Sequence, residues 1–201
     1  MKRLYLVRHG STDSNSTGVM RGWTNDPLSP LGQAQARLTA RYLQTLAPVE
    51  CIYASDLPRA IQTAEIIAAA WRAPVQTRAD LRELNLGKLE GRTEGELWEY
   101  FAKQSGEKND LAKINQVVFP GGEAVAQFLA RTRKALGEIL ASHTDSALIV
   151  SHGVQTMVAL GGWFEKDLLQ WNRFRVDNCS ISEIAFDPAP RLVRVNDTAH
   201  L

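Results

Sequence analysis

Two runs of apolar β-formers, Leu4-Tyr5-Leu6-Val7 and Ala147-Leu148-Ile149-Val150, carry no polar alternation at all. A strand of that kind has to be covered on both faces, as the central strands of parallel sheets are. Longer stretches of helical period separate such runs. Ser29-Pro30 is an N-cap with proline at the first helical position, and Leu31, Ala34, Leu38 and Tyr42 recur at helical spacing to about Leu46. Cys51-Ile52-Tyr53-Ala54-Ser55 is a second strand, and Pro58 opens a helix running through Ala60, Thr63, Ala64 and Ile67 to about Trp71. Pro74-Val75-Gln76-Thr77 is a short third strand. After Pro120-Gly121-Gly122-Glu123 a long helix puts Val125, Phe128, Leu129, Thr132, Leu136, Ile139 and Leu140 on one face. A short helix starts near Val154, and Asn178 to Phe186 and Leu192 to Asn196 read as two final strands. The alternation predicts an α/β protein, a three-layer α/β/α sandwich around a mostly parallel sheet. Its 201 residues suit a single domain over residues 1–201. Residues 92–120, polar and aromatic without a clean period, read as a small lid insertion or as a solvated pair of helices.

The balance of 23 basic and 22 acidic residues leaves a net charge of +1. That excludes nucleic-acid or membrane binding built on bulk charge, so any anion recognition has to be local. Only four apolar residues separate Met1-Lys2-Arg3 from Arg8, too few for a signal-peptide core. The longest apolar run, Met157 to Phe164, falls short of the roughly 18 residues a membrane span needs. Cys51 and Cys179 form no disulfide framework and read as buried thiols within strands. A cytoplasmic protein is expected.

Polar residues sit where three strands end. Arg8-His9-Gly10 follows the first, Arg59 lies just beyond the second, and His152-Gly153 follows the long apolar one. Right-handed crossovers bring the carboxyl ends of parallel strands to one edge, where α/β sheets bind ligands. Arg59 lies in a first helical turn, where a cation opposes the helix dipole by about 0.3–1 kcal/mol. It is solvated, paired with Asp56, or holding an anion. Two guanidiniums and two imidazoles around one point suit a phosphate, whose oxygens match the guanidinium fork. No convincing metal-ligand spacing occurs, and no G-x-G-x-x-G follows a strand.

Taken together, Arg8-His9-Gly10-x-Thr12-x-x-Asn15, Ser55-Asp56-Leu57-x-Arg59-Ala60-x-Gln62-Thr63-Ala64-Glu65, Leu81-x-Glu83 with Gly87-x-Leu89-Glu90-Gly91, and Ser151-His152-Gly153 resemble the histidine phosphatase superfamily, which includes cofactor-dependent phosphoglycerate mutase. The motifs occur in the family's order and span nearly the whole chain. The ending Asn196-Asp197-x-x-His200-Leu201 is similar to small bacterial members. The resemblance implies a phosphoglycerate mutase-like fold, with His9 as the nucleophile that forms a phosphohistidine. Arg8, Arg59 and His152 would bind the phosphoryl oxygens, with Asn15 and the Gly153 amide nearby. Glu83 would be the general acid and then the base, in preference to Glu90. No metal and no cofactor are implied. Arg21, before Gly22-Trp23, adds a substrate contact or faces solvent. A histidine beside two arginines should be neutral, as attack requires.

Several departures favour the small phosphatase branch over a mutase. Ser14 stands where mutases have Trp, Val154 where they have Asn, and residues 93–120 contain no arginine pair for a substrate carboxylate. The expectation is a phosphomonoesterase for a small phosphorylated metabolite: a phosphosugar, phosphoserine, a phosphoglycerate-type compound or α-ribazole phosphate. A mutase and a non-catalytic phosphate-binding module are the alternatives. The protein is expected to be a monomer or homodimer, with Trp163, Phe164 and Trp171 either on a dimer surface or in the core.

Overall fold

The computed structural model describes residues 2–46, 48–105, 113, 115–142, 145–164 and 174–201, with residues 105, 163 and 164 described by backbone only. Its strands are β1 (Lys2–Arg8), β2 (Cys51–Ser55), β3 (Val75–Arg78), β4 (Ser146–Ser151), β5 (Ile181–Phe186) and β6 (Pro190–Asp197). Its helices are α1 (Asp13–Ser16), α2 (Pro30–Leu43), α3 (Pro58–Trp71), α4 (Glu94–Ser105), α5 (Val125–Ser142) and α6 (Gly153–Phe164). The strands form one sheet in the order β3-β2-β4-β1-β5-β6. The first four are parallel; β5 and β6 extend the sheet antiparallel.

The two unalternated runs are the central pair. β1 pairs with β4 in the register Leu6↔Ile149 and Arg8↔Ser151, so both strands end level with one another. Leu4, Leu6, Ala147 and Ile149 face Leu136, Ile139 and Leu160 of α5 and α6. Tyr5, Val7, Leu148 and Val150 face Ala40, Leu43, Ala60, Ala64 and Ile67 of α2 and α3. Helices thus cover both faces of a mostly parallel sheet, and the expected α/β/α sandwich is the observed one. No helix among the described residues is long and apolar enough to cross a membrane.

The buried face of α2 differs from the expected one. Leu31 is 62% exposed, Leu38 is 39% exposed and Ala34 is exposed; Gly32, Ala36, Thr39, Ala40 and Leu43 are buried instead. The reason is close approach. A Cβ added at Gly32 would lie 2.0 Å from the Ser11 carbonyl oxygen, and one at Gly10 would lie 2.5 Å from that of Gly32. The loop after β1 therefore rests on the backbone of α2, and the face that meets it has to be small. The larger apolar side chains turn outward. Cys179 is buried but not in a strand: it sits just before β5 with φ +58°.

Within residues 92–120, Thr93 caps α4, accepting from the Glu96 amide while its own amide donates to Glu96. Leu97, Trp98 and Phe101 of α4 pack with Leu84, Phe119 and Phe128. Residues 106–112 and 114 of the insertion lie outside the described residues. So do the side chains of Trp163 and Phe164 and the whole of Trp171, the aromatics assigned either to a dimer surface or to the core.

Gly32→Ala is expected to lower the unfolding free energy by about 1–3 kcal/mol through forced separation of α2 from the loop. Urea denaturation measures it, and a variant as stable as the parent would show that the contact yields freely.

Candidate active site

The pairing of β1 with β4 continues one residue beyond the strands, where the His9 amide donates to the Ser151 carbonyl at 2.9 Å. His9 and His152 consequently emerge side by side at the carboxyl edge, their rings edge-to-face with centroids 5.1 Å apart. Both are buried. Nδ1 of His9 lies 2.7 Å from the Gly10 carbonyl oxygen and must donate to it. That leaves Nε2 with a lone pair, and Arg59 Nε donates to it at 3.2 Å. Burial holds the His9 pKa well below the ordinary imidazole value, reinforced by the Arg59 and Arg8 charges. His152 is depressed in the same way, first by burial and then by Arg59. Its Nε2 lies 2.8 Å from the Ser55 hydroxyl at the end of β2.

Arg59 is 2% exposed, and neither a solvated nor an Asp56-paired guanidinium describes it. Asp56 instead holds Arg82 through two bonds of 2.6 Å. Arg59 donates to the carbonyls of Thr24 at 2.7 Å and Gly22 at 2.8 Å. Gly22 therefore acts on the site by holding Arg59. Arg8 donates from Nη1 to the Val176 carbonyl at 2.7 Å. Its Nε is buried without a hydrogen-bond partner among the described residues. Beside it, a Cβ added at Gly153 would lie 3.5 Å from Arg8 Nε and 3.8 Å from a Glu83 carboxylate oxygen. Arg8, Gly153 and Glu83 thus border the same small space.

Glu83 is buried and accepts from the amides of Val154 at 3.0 Å, Leu84 at 2.9 Å and Gln155 at 3.2 Å. Burial raises its pKa above the ordinary carboxyl value, against the opposing pull of those amides and of Arg59 and Arg8. Glu90, the competing carboxylate, is elsewhere: it accepts from the Trp23 amide at 2.6 Å. Asn15 closes the turn after β1, its Oδ1 accepting from Thr12 at 3.0 Å and from Asn178 at 3.3 Å. Arg21 is half-exposed, with Nε 3.6 Å from an Asp26 carboxylate oxygen.

The structure therefore brings Arg8, His9, Arg59, Glu83, His152 and Gly153 together. Asn15 and Gly22 hold neighbouring segments in place, and Arg21 stands at the margin. Among the described residues no group of three or more His, Cys, Asp or Glu is placed to hold a metal ion. Residues not singled out from the sequence also shape the site. Asn178 donates to the His9 carbonyl at 3.0 Å. Thr63 accepts from the Gly10 amide at 3.1 Å. Arg131 of α5 donates to the Glu83 and Arg82 carbonyls, each at 2.7 Å, while paired with Glu123. Ser55 carried a signal, since it ends a strand at the same edge; Arg131 carried none, being one polar residue in an amphipathic helix.

The family profile of the histidine phosphatase superfamily (branch 1) matches residues 4–198. The chain belongs to this superfamily. It is 34% identical over 220 residues to a Proteus mirabilis protein named "Probable phosphoglycerate mutase GpmB", covering all of this chain and 95% of that one. Among solved structures, the α-ribazole phosphatase of Shigella flexneri is similar at 26% identity with a TM-score of 0.82, over 97% of this chain and 96% of that one. The phosphoserine phosphatase of Entamoeba histolytica, solved with 3-phosphoglyceric acid, is similar at 27% identity with a TM-score of 0.78, over the full length of both chains.

The depressed imidazoles make stability pH-dependent. His9 and His152 bind protons in the unfolded chain below about pH 6.5 but resist them when folded. Unfolding free energy is therefore expected to fall as pH drops below about 6.5, and His152→Gln to flatten that slope. The raised pKa of Glu83 acts with the opposite sign, and only above its unfolded value of about 4.3. Urea titrations between pH 5 and 7.5 measure the balance; a slope identical in the variant would contradict the assignment.

Proposed function

We propose that the protein is a metal-independent phosphomonoesterase working through a phosphohistidine on a small phosphorylated metabolite. The observation that carries this reading is His9 itself: a buried imidazole held neutral, its Nε2 lone pair met by the buried Arg59 guanidinium, with the Arg8 charge and a protonatable carboxyl in the same site. In the first step His9 Nε2 bonds to phosphorus, the bond from phosphorus to the ester oxygen breaks, and Glu83 gives that oxygen its proton. The Gly10 carbonyl, accepting from Nδ1–H, stabilises the positive charge the ring acquires. Arg8, Arg59 and His152 spread the phosphoryl charge over fixed donors, the main requirement of phosphoryl transfer. In the second step Glu83 takes a proton from water, the water oxygen bonds to phosphorus, and His9 is released.

Asn15, the Gly153 amide, Gly22 and Arg21 complete the substrate-binding set in this reading, and α4 with the rest of residues 92–120 serves as the lid of a single domain. The substrate is of the phosphosugar, phosphoserine, phosphoglycerate or α-ribazole phosphate kind, and the protein acts in the cytoplasm as a monomer or homodimer. The name of the Proteus relative supports a second reading, a phosphoglycerate mutase in which a second substrate oxygen replaces water.

Phosphate release from an aryl phosphate in excess EDTA is expected for the parent and not for His9→Ala; activity surviving in that variant would refute the phosphohistidine. Glu83→Gln should lose about 10²–10⁴ in rate on alkyl esters, whose leaving groups need the proton, and less on nitrophenyl phosphate. Neutral His9 and protonated Glu83 are both required. The acid limb of kcat/KM should therefore lie below about 6.5, and the alkaline limb above the ordinary carboxyl value of about 4.3. Glu83→Gln should abolish the alkaline limb.

A further inference from the structure

Glu83 separates two different environments. On one side are Arg8, Arg59 and the two imidazoles. On the other, Glu83 forms part of the wall of a cavity of about 290 Å³ reaching out beneath α4. Its other walls include Met20, Leu97, Trp98, Phe128 and Met157. Apart from Arg21, Glu83 and Glu94, every described residue lining it is apolar.

Arg21 and Glu94 face partners of their own, although Arg21 Nε makes no hydrogen bond among the described residues. The Arg21 charge is answered by Asp26 at 3.6 Å, and a Glu94 carboxylate oxygen accepts from Trp98 Nε1 at 3.3 Å. A substrate carboxylate entering here would meet the Glu94 charge, and the lining cation, Arg21, is already shared with Asp26. A polyol would lose its water and find few partners, a desolvation that is unfavourable for each unpaired hydroxyl. An apolar body loses nothing and gains contact with the walls. The cavity is also large enough: an engineered apolar cavity of about 150 Å³ takes benzene, so this one has room for a ring and its linker.

We infer that this cavity receives the leaving alcohol, and that the preferred substrates are phosphomonoesters whose alcohol carries an aromatic or branched aliphatic body. The inference rests on the phosphohistidine reading, in which Glu83 must touch the ester oxygen. An oxygen held against Glu83, with phosphorus toward His9, directs its carbon substituent into the apolar space. Trp98 of α4 and Met157 of α6 act as specificity residues.

The test compares kcat/KM for phenylpropyl phosphate and glycerol phosphate, both esters of primary alcohols needing protonation on departure. A preference of roughly 100-fold for the phenylpropyl ester is expected, the scale at which an apolar pocket discriminates. Trp98→Ser and Met157→Gln should each reduce that ratio about tenfold, chiefly through KM for the apolar ester. Equal efficiencies, or a preference for glycerol phosphate, with both activities lost in His9→Ala, would overturn the apolar subsite and leave the phosphohistidine intact. If neither ester is turned over, the phosphomonoesterase reading fails. Calorimetry with phenylpropyl phosphonate and dihydroxypropyl phosphonate then decides the subsite alone: tighter binding of the former upholds it, and equal binding overturns it.

Discussion

The buried Arg59 guanidinium is the group on which the rest of the site depends. A cation taken from water into a protein interior is costly unless every donor is matched. Here the matches are two carbonyls of the loop after α1, from Gly22 and Thr24, and the lone pair of His9. The same three bonds fix the loop and engage the His9 Nε2 lone pair, on a ring that burial first and then the Arg59 charge keep neutral. Of the carboxylates that favour its charge, Glu83, itself buried, acts most strongly, ahead of Asp26 and Glu90. An anion that joins two such guanidiniums gains from a field already in place, with little reorganisation to oppose it.

The scaffold makes that arrangement rigid by bringing backbones very close. The loop carrying Gly10 and Ser11 lies directly on α2, and its Gly10 amide is tied to Thr63 of α3, whose hydroxyl in turn donates to the Arg59 carbonyl. Glu83 is held differently, by amides at the start of α6 and by Arg131 gripping its carbonyl from α5. His9 and Glu83 thus hang from opposite helical layers, and the sheet edge is where the layers meet.

The parts legible from sequence were those set by local chemistry. Unalternated apolar strands announced the central pair, and the polar residues after them announced the edge. Gly, Pro and Ser at segment ends placed most helix starts. The buried face of α2 was not legible, because its apolar period points outward; a demand for small residues arises only from what packs against it. Likewise, nothing near Arg131 in the chain hints that it reaches back to residues 80–83, and Asn178 reads as the start of a strand until its bond to the His9 carbonyl is seen. The contact between Asp56 and Arg82, which leaves Arg59 free for the site, also spans separate elements. Each of these belongs to tertiary structure, and no window of a single sequence contains it.

The sheet order has a consequence for the making of the protein. β1 carries Arg8 and leads into His9, yet among the described residues its strand partners are β4 and β5, which are translated far later. At about 5–20 residues per second, the ribosome takes on the order of ten seconds to reach them. Until then a strand with the continuous apolar run Leu4–Val7 has neither of its neighbours. β2, α3 and β3 can assemble first, but the cluster of His9, Arg59, Glu83 and His152 cannot exist in any shortened version of this chain that stops before β4. The residues that are synthesised first are among the last to acquire their function.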